Sequence, residues 1–329
     1  MKTALIFKKS SQPRLFTEKA IDELRKLGEV VLHDSDDLSP EAVKATIAGA
    51  DIAITSWGNT SLTEDILDCA PNLKFVMHAA GSVKPVVSDA MWERGIRIAA
   101  STKPLGIGVA ETALGFAISA SKNFYQCNED IHNGGWNDHR SNVKELFEIT
   151  VGVISAGFVG RHFIKLMNNF GVEVLVYDPY ITEERAAALG AKKAELKDLL
   201  NKSDIVSIHA PNIPATNNMF NAETLTWMKK DAVLINTARG AVIDEKALYE
   251  HMAAGNLKYA CLDVFNPEPP AVDNPLRTLK NVILTPHLAG LASNGQLRIG
   301  AHSVEEIHRF LNGERLECEV TKDMLATIA

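Results

Sequence analysis

The stretch ITVGVISAGFVGRHFIKLMNNFGVEVLVYD, residues 149–178, decides the fold of this chain. It opens with a short apolar run typical of a buried strand and continues through Ser155, Gly157 and Gly160 into apolar residues at helical spacing. A second apolar run then ends at Asp178. The pattern predicts a strand, a tight turn, a helix and a second strand, which is the repeating unit of a parallel α/β sheet.

The glycine spacing resembles the G-x-G-x-x-G fingerprint, in which the backbone approaches a dinucleotide pyrophosphate at a helix N-terminus. Asp178 follows Gly157 by 21 residues, where such folds place the acid that binds the adenosine ribose. Ser155 stands in place of the first glycine, so the fingerprint is degenerate. This stretch alone supports equally a dinucleotide site and a plain strand–helix–strand unit whose glycines serve only turn geometry.

Length and composition indicate a globular protein of two domains. The 329 residues exceed the length of about 250–300 residues at which single cores usually stop growing. Hydrophobic residues make up 46% and charged residues 23%, which is ordinary for such a protein. The net charge of −7 argues against nucleic-acid or membrane partners, because both require a basic surface.

The N-terminus and the cysteines favour a cytoplasmic protein. The first apolar run, residues 4–7, is too short for a signal peptide, and no segment is expected to reach membrane-spanning length. The cysteines are widely separated and suggest neither a zinc site nor a disulfide framework, and no metal is predicted. They are Cys69, Cys127, Cys261 and Cys318. Because the chain ends soon after Gly313, no appended regulatory domain is expected.

Strand and helix patterns alternate twice along the chain. The first alternation covers residues 1–100, and the second begins with the stretch 149–178 and continues to residue 284. Between them, residues 107–131 predict one long helix, and residues 293–311 predict an amphipathic final helix. The predicted fold class is therefore α/β, with two doubly wound parallel-sheet domains.

Three strand ends in the second half carry side chains that could act together. Arg239 follows the strand of residues 232–235, Glu268 follows that of 259–264, and His287 follows that of 282–284. They could supply a carboxylate clamp, an orienting partner and a proton donor. Taken singly, each is better explained as a surface ion pair, a solvated loop residue or a structural histidine. Their joint placement at neighbouring strand ends favours catalysis.

The chain also resembles the D-isomer-specific 2-hydroxyacid dehydrogenases, which include phosphoglycerate, glyoxylate and hydroxypyruvate dehydrogenases. The matching motifs occur in family order, and weaker matches at LKFVMHAAGSVK and GVAETALG extend the likeness to nearly the whole chain. The motifs are VGVISAGFVGR, VYDP, SDIVSIHAPNIPAT, LINTARGAVIDEKAL, CLDVFNPEPP and NVILTPHLAG. The resemblance implies a flavodoxin-like substrate domain, a Rossmann NAD-binding domain and a homodimer. The substrate domain would comprise residues 1–102 and 291–329, and the NAD-binding domain residues 103–290.

The resemblance further implies an NAD-dependent oxidoreductase acting on a small 2-hydroxy acid or its 2-keto form. At the matching positions, His287 would protonate the substrate carbonyl, Glu268 would stabilise the imidazolium, and Arg239 would hold the substrate carboxylate. The alternative is a non-catalytic NAD(H) sensor or corepressor on the same scaffold, which the family also contains.

Further site residues are implied in the same way. Those expected to bind the cofactor are Ser155, Gly157, Phe158, Val159, Gly160, Asp178, His209, Ala210, Pro211, Thr216, Thr237, Ala238, Arg239, Asp263, His287 and Gly290. Those expected to bind the substrate are Ala80, Gly81, Ser82, Val83 and Arg239. A carboxylate at Asp178 favours NAD over NADP, because it would repel the additional phosphate. The loop Ser82-Val83-Lys84-Pro85 departs from the family pattern, so it does not identify a particular substrate. Lys84 is interpreted as a solvated loop lysine, and the alternative is an added positive charge for a more anionic substrate.

Overall fold

The computed structural model describes residues 1–328, which form two compact α/β units. The first unit comprises Met1–Leu105 and the segment from Gly290 onward, and the second comprises Gly106–Ala289. Each unit is built on one sheet of mostly parallel strands. The predicted fold class is thereby confirmed.

The sheet of the first unit has five parallel strands and one antiparallel edge strand. Numbered along the whole chain, its strands are β1 (Lys2–Leu5), β2 (Glu29–Leu32), β3 (Ile52–Thr55), β4 (Phe75–His78), β5 (Arg97–Ala100) and β13 (Glu319–Val320). The spatial order is β13-β5-β4-β3-β1-β2, and β13 pairs antiparallel with β5. The order 2-1-3-4-5 of the parallel strands is that of flavodoxin-like folds.

Helices cover both faces of this first sheet. They are α1 (Gln12–Leu15), α2 (Glu18–Leu27), α3 (Pro40–Ile47), α4 (Glu64–Leu67), α5 (Asp89–Glu93) and α13 (Ser293–Leu311). Along β1, Ala4 packs in the core on one face and Leu5 in the core on the other. Because both faces are buried, polar side chains are accessible mainly at the ends of the strands.

The sheet of the second unit is entirely parallel. Its strands are β6 (Thr150–Ile154), β7 (Glu173–Tyr177), β8 (Lys192–Lys193), β9 (Ile205–Ile208), β10 (Val233–Asn236), β11 (Tyr259–Leu262) and β12 (Val282–Leu284). The order β12-β11-β10-β9-β6-β7-β8 is that of a Rossmann fold with one additional strand. The order reverses between β6 and β9, and the stretch quoted first supplies β6, the next helix and β7.

The helices of the second unit differ from the prediction at one point. They are α7 (Phe124–His132), α8 (Phe158–Met167), α9 (Glu183–Ala188), α10 (Leu196–Lys202), α11 (Ala222–Leu225) and α12 (Glu245–Ala253). The single helix predicted over residues 107–131 is wrong, because α6 (Thr102–Ser121) ends before α7 begins. Between them, buried Asn123 has a left-handed φ of 56° and accepts the Tyr259 hydroxyl at 2.9 Å.

Helix α6 also corrects the expectation that no segment reaches membrane-spanning length. Its 20 residues make it, by length and composition alone, the one helix among residues 1–328 that could cross a membrane. Core helices of globular proteins meet the same criteria. Buried alanines at helical spacing form one face of α6 and pack in the core of the second unit. They are Ala110, Ala113, Ala117 and Ala120.

Candidate active site

The carboxyl ends of β10, β11 and β12 lie side by side in the second unit. The three strands are adjacent and parallel, and their final residues pair in register. Arg239, Glu268 and His287 follow these three ends in that order. Since ligands of open α/β sheets bind beyond the carboxyl ends of the strands, this edge is the candidate active site of the unit.

His287 and Glu268 form a close pair at this edge. Nδ1 of His287 lies 2.7 Å from Oε2 of Glu268, and Oε1 of Glu268 accepts the N–H of Phe265 at 3.0 Å. Half of the His287 side chain is accessible to solvent, compared with 35% for Glu268. With Nδ1 directed at the carboxylate, Nε2 is the ring nitrogen available to a substrate.

The backbone at His287 is held in an uncommon conformation by Asp263. His287 has a left-handed φ of 51°, and its N–H donates to the carbonyl of Asp263 at 2.8 Å. The fully buried carboxylate of Asp263 accepts the N–H groups of Leu288 and Ala289, both at 2.9 Å, and the hydroxyl of Thr285 at 2.5 Å. Asp263, which the sequence places among the residues expected to bind the cofactor, therefore packs directly against the turn that carries His287.

Arg239 is held by the turn that follows β10. The buried side chain of Asn236 accepts the N–H of Ala238 at 3.0 Å and donates to the carbonyl of Arg239 at 3.0 Å. The guanidinium donates from Nη1 to the carbonyl of Ala238 at 2.7 Å, which leaves further N–H donors for a ligand. Burial lowers the pKa of Arg239, and the nearby charge of Glu268 opposes this shift.

The close approach of two segments requires glycine after Arg239. A Cβ atom at Gly240 would lie 2.0 Å from the carbonyl carbon of Phe265. No side chain can occupy this position without moving the backbone of the segment that leads to Glu268. The absence of a side chain at Gly240 thus permits the Arg239 turn and the Glu268 segment to pack directly against each other.

The turn after β6 is organised around Asp178. Its Oδ2 accepts the N–H of Ala156 at 2.8 Å and lies 3.4 Å from the Ser155 hydroxyl, and its Oδ1 accepts the N–H of Tyr180 at 2.8 Å. Ser155 has a left-handed φ of 75°, a conformation that glycine adopts without strain. The serine therefore keeps the backbone conformation that the fingerprint requires.

Helix α8 begins in this turn and presents an open N-terminus. Gly157 is its N-cap, and Phe158, Val159 and Gly160 form its first turn. Among residues 1–328, and apart from Gly157 and its two chain neighbours, no heavy atom lies within 4 Å of a Cβ built at Gly157, whereas a Cβ at Gly160 would lie 2.1 Å from the carbonyl oxygen of Ser155. The open space at a helix N-terminus fits a pyrophosphate, which backbone N–H groups and the helix dipole would bind.

Other residues predicted to contact the cofactor follow β9 and β10. The Nε2 atom of His209 lies 3.0 Å from the hydroxyl of Ser207, and burial lowers the pKa of His209 to about 3, which keeps the ring neutral at pH 7. Within residues 1–328, the buried Nδ1 of His209 and the buried hydroxyl of Thr237 have no hydrogen-bond partner. Such unpaired groups at strand ends are suited to a polar ligand.

The other residues predicted to contact the cofactor lie in loops and turns that hydrogen bonds hold in place. The Thr216 hydroxyl donates to the carbonyl of Pro211 at 2.5 Å and accepts the N–H of Ile213 at 3.1 Å, which closes the loop after β9. Ala210 is buried, and Ala238 belongs to the Arg239 turn. Gly290 is the first residue of the second segment of the first unit.

In the first unit, the predicted substrate loop of residues 80–83 follows β4. Its neighbour His78 is buried, with Nδ1 2.8 Å from the hydroxyl of Thr55 and a further hydrogen bond to the backbone of Ser82. Burial lowers the pKa of His78 to about 4. Ala80 and Val83 are buried, whereas Gly81 and Ser82 are partly exposed, so the accessible part of this loop is its centre.

Sequence analysis did not single out several residues that hydrogen-bond the turns and segments of the candidate catalytic side chains. Asn236 supports Arg239, Thr285 bonds Asp263, and Glu245 bonds the segment that carries Glu268. Asn236 and Glu245 both lie in the motif LINTARGAVIDEKAL, so the motif was a signal for them. Their partners lie in other segments and are not evident from the pattern.

Comparison with known proteins identifies the family of this chain. Residues 114–289 match the sequence profile of the family described as "D-isomer specific 2-hydroxyacid dehydrogenase, NAD binding domain". The D-3-phosphoglycerate dehydrogenase of Methanocaldococcus jannaschii is 36% identical over 301 residues, covering 91% of this chain and 57% of that protein. The chain spans about half the length of the curated relatives it matches.

Solved structures share the fold over almost the whole chain. A protein of Thermus thermophilus has a TM-score of 0.79 at 28% identity, over 98% of this chain and all of that one. A D-2-hydroxyisocaproate dehydrogenase has a TM-score of 0.81 at 24% identity, with the same coverage, and shows the fold alone. The chain belongs to the D-isomer specific 2-hydroxyacid dehydrogenase family. The predicted family is thus confirmed, as is NAD as the ligand of its second unit.

The two glycines at the start of α8 provide a matched test of the cofactor site. Gly160→Ala should lower the free energy of unfolding by about 1–3 kcal/mol, because its methyl group meets the Ser155 carbonyl. Gly157→Ala should change it by less than about 1 kcal/mol. Gly157→Ala should nevertheless weaken NADH binding at least about tenfold, because its methyl group enters the predicted pyrophosphate space.

Urea unfolding and fluorescence titration with NADH measure the two effects. Unchanged NADH affinity in a stable Gly157→Ala protein would mean that the pyrophosphate lies elsewhere.

Proposed function

We propose that this chain transfers a hydride between NAD and C2 of a small 2-hydroxy acid or its 2-keto form. The observation that carries the proposal is the 2.7 Å pair of His287 and Glu268 at the strand edge of an NAD-binding domain, with Arg239 at the neighbouring strand end. The set combines a proton donor, a group that stabilises its charged form, and a cation for a carboxylate. A hydroxy acid oxidoreductase requires these three functions.

In the reducing direction, Nε2 of His287 donates its proton to the carbonyl oxygen of the keto acid. Hydride transfer to C2 is the chemistry that bound NADH would supply. The Glu268 carboxylate, hydrogen-bonded to Nδ1, stabilises the imidazolium before transfer and fixes the orientation of the ring. In the oxidising direction, the neutral ring accepts the proton of the hydroxyl group.

Arg239 binds the carboxylate of the substrate. Burial destabilises its charge, as the lowered pKa indicates, and an anionic ligand would offset that cost. A guanidinium presents a planar fork of N–H donors that matches a carboxylate in a bidentate arrangement. The hydrogen bond from Nη1 to the carbonyl of Ala238 orients the side chain and leaves the other N–H donors for this interaction.

The residues around α8 and β7 hold the cofactor. The N-terminus of α8, from Gly157 onward, binds the pyrophosphate, and Asp178 binds the adenosine ribose. Asp178 is followed by Pro179, Tyr180 and Ile181, none of which carries a positive charge for an additional phosphate. This arrangement supports NAD as the preferred coenzyme.

A keto-acid panel with His287 variants tests the reaction. Oxidation of NADH should be observed with at least one of glyoxylate, hydroxypyruvate, pyruvate and longer 2-keto acids. His287→Ala should lower kcat by about 100-fold or more while leaving NADH affinity nearly unchanged, because it removes the acid. Glu268→Gln should also lower kcat, and its reductive rate should decline at lower pH than that of the wild type.

Two results would contradict the assignment. Tight NADH binding without turnover of any keto acid would favour the non-catalytic sensor. Equal losses of turnover and NADH affinity in His287→Ala would identify His287 as structural.

The coenzyme assignment predicts the behaviour of Asp178 variants. Asp178→Ala should weaken NADH binding and lower the NADH preference over NADPH at least about tenfold, because the repulsive carboxylate is lost. The ratio of the two dissociation constants is the informative measurement, since Asp178 also supports the turn at Ala156 and its loss affects both coenzymes. A wild-type protein that prefers NADPH would refute the ribose assignment.

The homodimer implied by the family is proposed to form through the second unit. Large apolar side chains are exposed on α7 and the segment after it, where a second copy would cover them. They are Phe124 (54% exposed), Ile131 (51%), Trp136 (76%) and Phe147 (60%).

Trp136→Asp should shift the protein from dimer to monomer in sedimentation velocity. Val272→Asp, at a 94% exposed residue outside this segment, is the control. A monomeric wild type would refute the proposal.

A further inference from the structure

Glu245 lies in the motif LINTARGAVIDEKAL and has no part in the proposed chemistry. It is the first residue of α12, directly after the N-cap Asp244, whose carboxylate accepts the N–H of Ala247 at 3.1 Å. The helix end is therefore already capped by Asp244. The side chain of Glu245 is directed instead toward the segment that follows β11.

Both carboxylate oxygens of Glu245 bind that segment. Oε1 accepts the backbone N–H of Asn266 at 2.8 Å, and Oε2 accepts the side-chain amide of Asn274 at 2.8 Å. Asn274 in turn accepts the N–H of Leu276 at 3.0 Å through its own side chain. One carboxylate thus joins the beginning and the end of residues 266–274 to the start of α12.

Glu268 lies within this joined segment, two residues after Asn266. Its Oε1 accepts the N–H of Phe265, and its Oε2 meets Nδ1 of His287. Residues 266–274 contain no helix or strand, so side-chain hydrogen bonds to their backbone help to fix it, together with the bond from the N–H of Asn274 to the carbonyl of Ala271 at 3.1 Å. Arg277 donates to the carbonyls of Pro270 and Ala271, both at 2.9 Å, but these bonds lie beyond Glu268.

We propose that Glu245 is a positioning residue, which fixes the backbone before Glu268 so that the Glu268 carboxylate meets His287. The inference rests on the proposed function, in which Glu268 stabilises the imidazolium form of His287. Hydrogen bonds to an ionised acceptor are stronger than those to a neutral one. Glu245 therefore restrains Asn266 more firmly than an amide or a water molecule would.

Loss of this restraint should affect the acid–base step rather than coenzyme binding. Glu245→Ala in the full chain should lower kcat by about 10- to 100-fold, the range expected when a catalytic group moves by about 1 Å. The dissociation constant of NADH should change by less than about twofold, since no predicted coenzyme contact is altered. The pH at which the reductive rate declines should move downward, in the same direction as in Glu268→Gln.

Matched variants separate positioning from a general loss of stability. Glu250 lies on the same helix, and its side chain makes a 4.0 Å surface ion pair with Lys246, so Glu250→Ala should retain the wild-type kcat and pH profile. Glu245→Gln keeps an acceptor for Asn266 and should recover much of the kcat. Asn274→Ala removes one half of the connection and should have a smaller effect than Glu245→Ala.

Hydrogen exchange tests the geometry independently of turnover. In the protein without ligands, Glu245→Ala should speed exchange in the peptide containing Asn266 at least about tenfold, and Glu250→Ala should not. Unchanged exchange would overturn the proposal, as would a Glu245→Ala enzyme with the wild-type kcat and pH profile. If the wild type turns over no keto acid, the proposed function fails, and exchange alone still shows whether Glu245 orders the segment.

Discussion

The buried carboxylate of Asp263 is the interaction on which the candidate active site depends. A fully buried charge is costly unless hydrogen bonds satisfy it, and here Thr285, Leu288 and Ala289 in the turn after β12 donate to the carboxylate. The strand end of β11 thereby determines the backbone that carries His287. This backbone includes a left-handed φ at His287, a conformation that costs about 1–2 kcal/mol in a residue with a Cβ atom. The bonds to Asp263 offset that cost.

The sequence pattern was sufficient for the fold and for the grouping of Arg239, Glu268 and His287, because parallel strands place their carboxyl ends at one edge. The supporting contacts beneath this edge, such as the bond between Asp263 and Thr285, could not be found in the same way, since they depend on which loops touch after folding. The error in the helix of residues 107–131 has the same cause. Its local pattern is continuous, but buried Asn123 accepts the hydroxyl of Tyr259, which is 136 positions away. Burial raises the pKa of Tyr259 to about 12, so the hydroxyl stays protonated and can donate this bond even in alkaline solution.

Ser155 and Asp178 are coupled, which explains how a degenerate fingerprint keeps its geometry. The Asp178 carboxylate accepts the N–H of Ala156, the residue next to the left-handed serine, and the serine hydroxyl lies within 3.4 Å of it. The acid proposed to bind the ribose thus also closes the turn proposed to hold the pyrophosphate. A glycine at position 155 would relieve backbone strain, but the serine adds a polar contact to the acid.

The two functional hypotheses place different demands on the second unit. A sensor of NAD requires the α8 turn and Asp178, but it has no need of a left-handed histidine beside a carboxylate or of a largely buried arginine. Both features carry a free-energy cost, seen in the φ of His287 and in the pKa of Arg239, which burial lowers. Groups held at such a cost are typical of sites where chemistry depends on them. The arrangement around Asp263 therefore supports a catalytic role more strongly than a binding role alone.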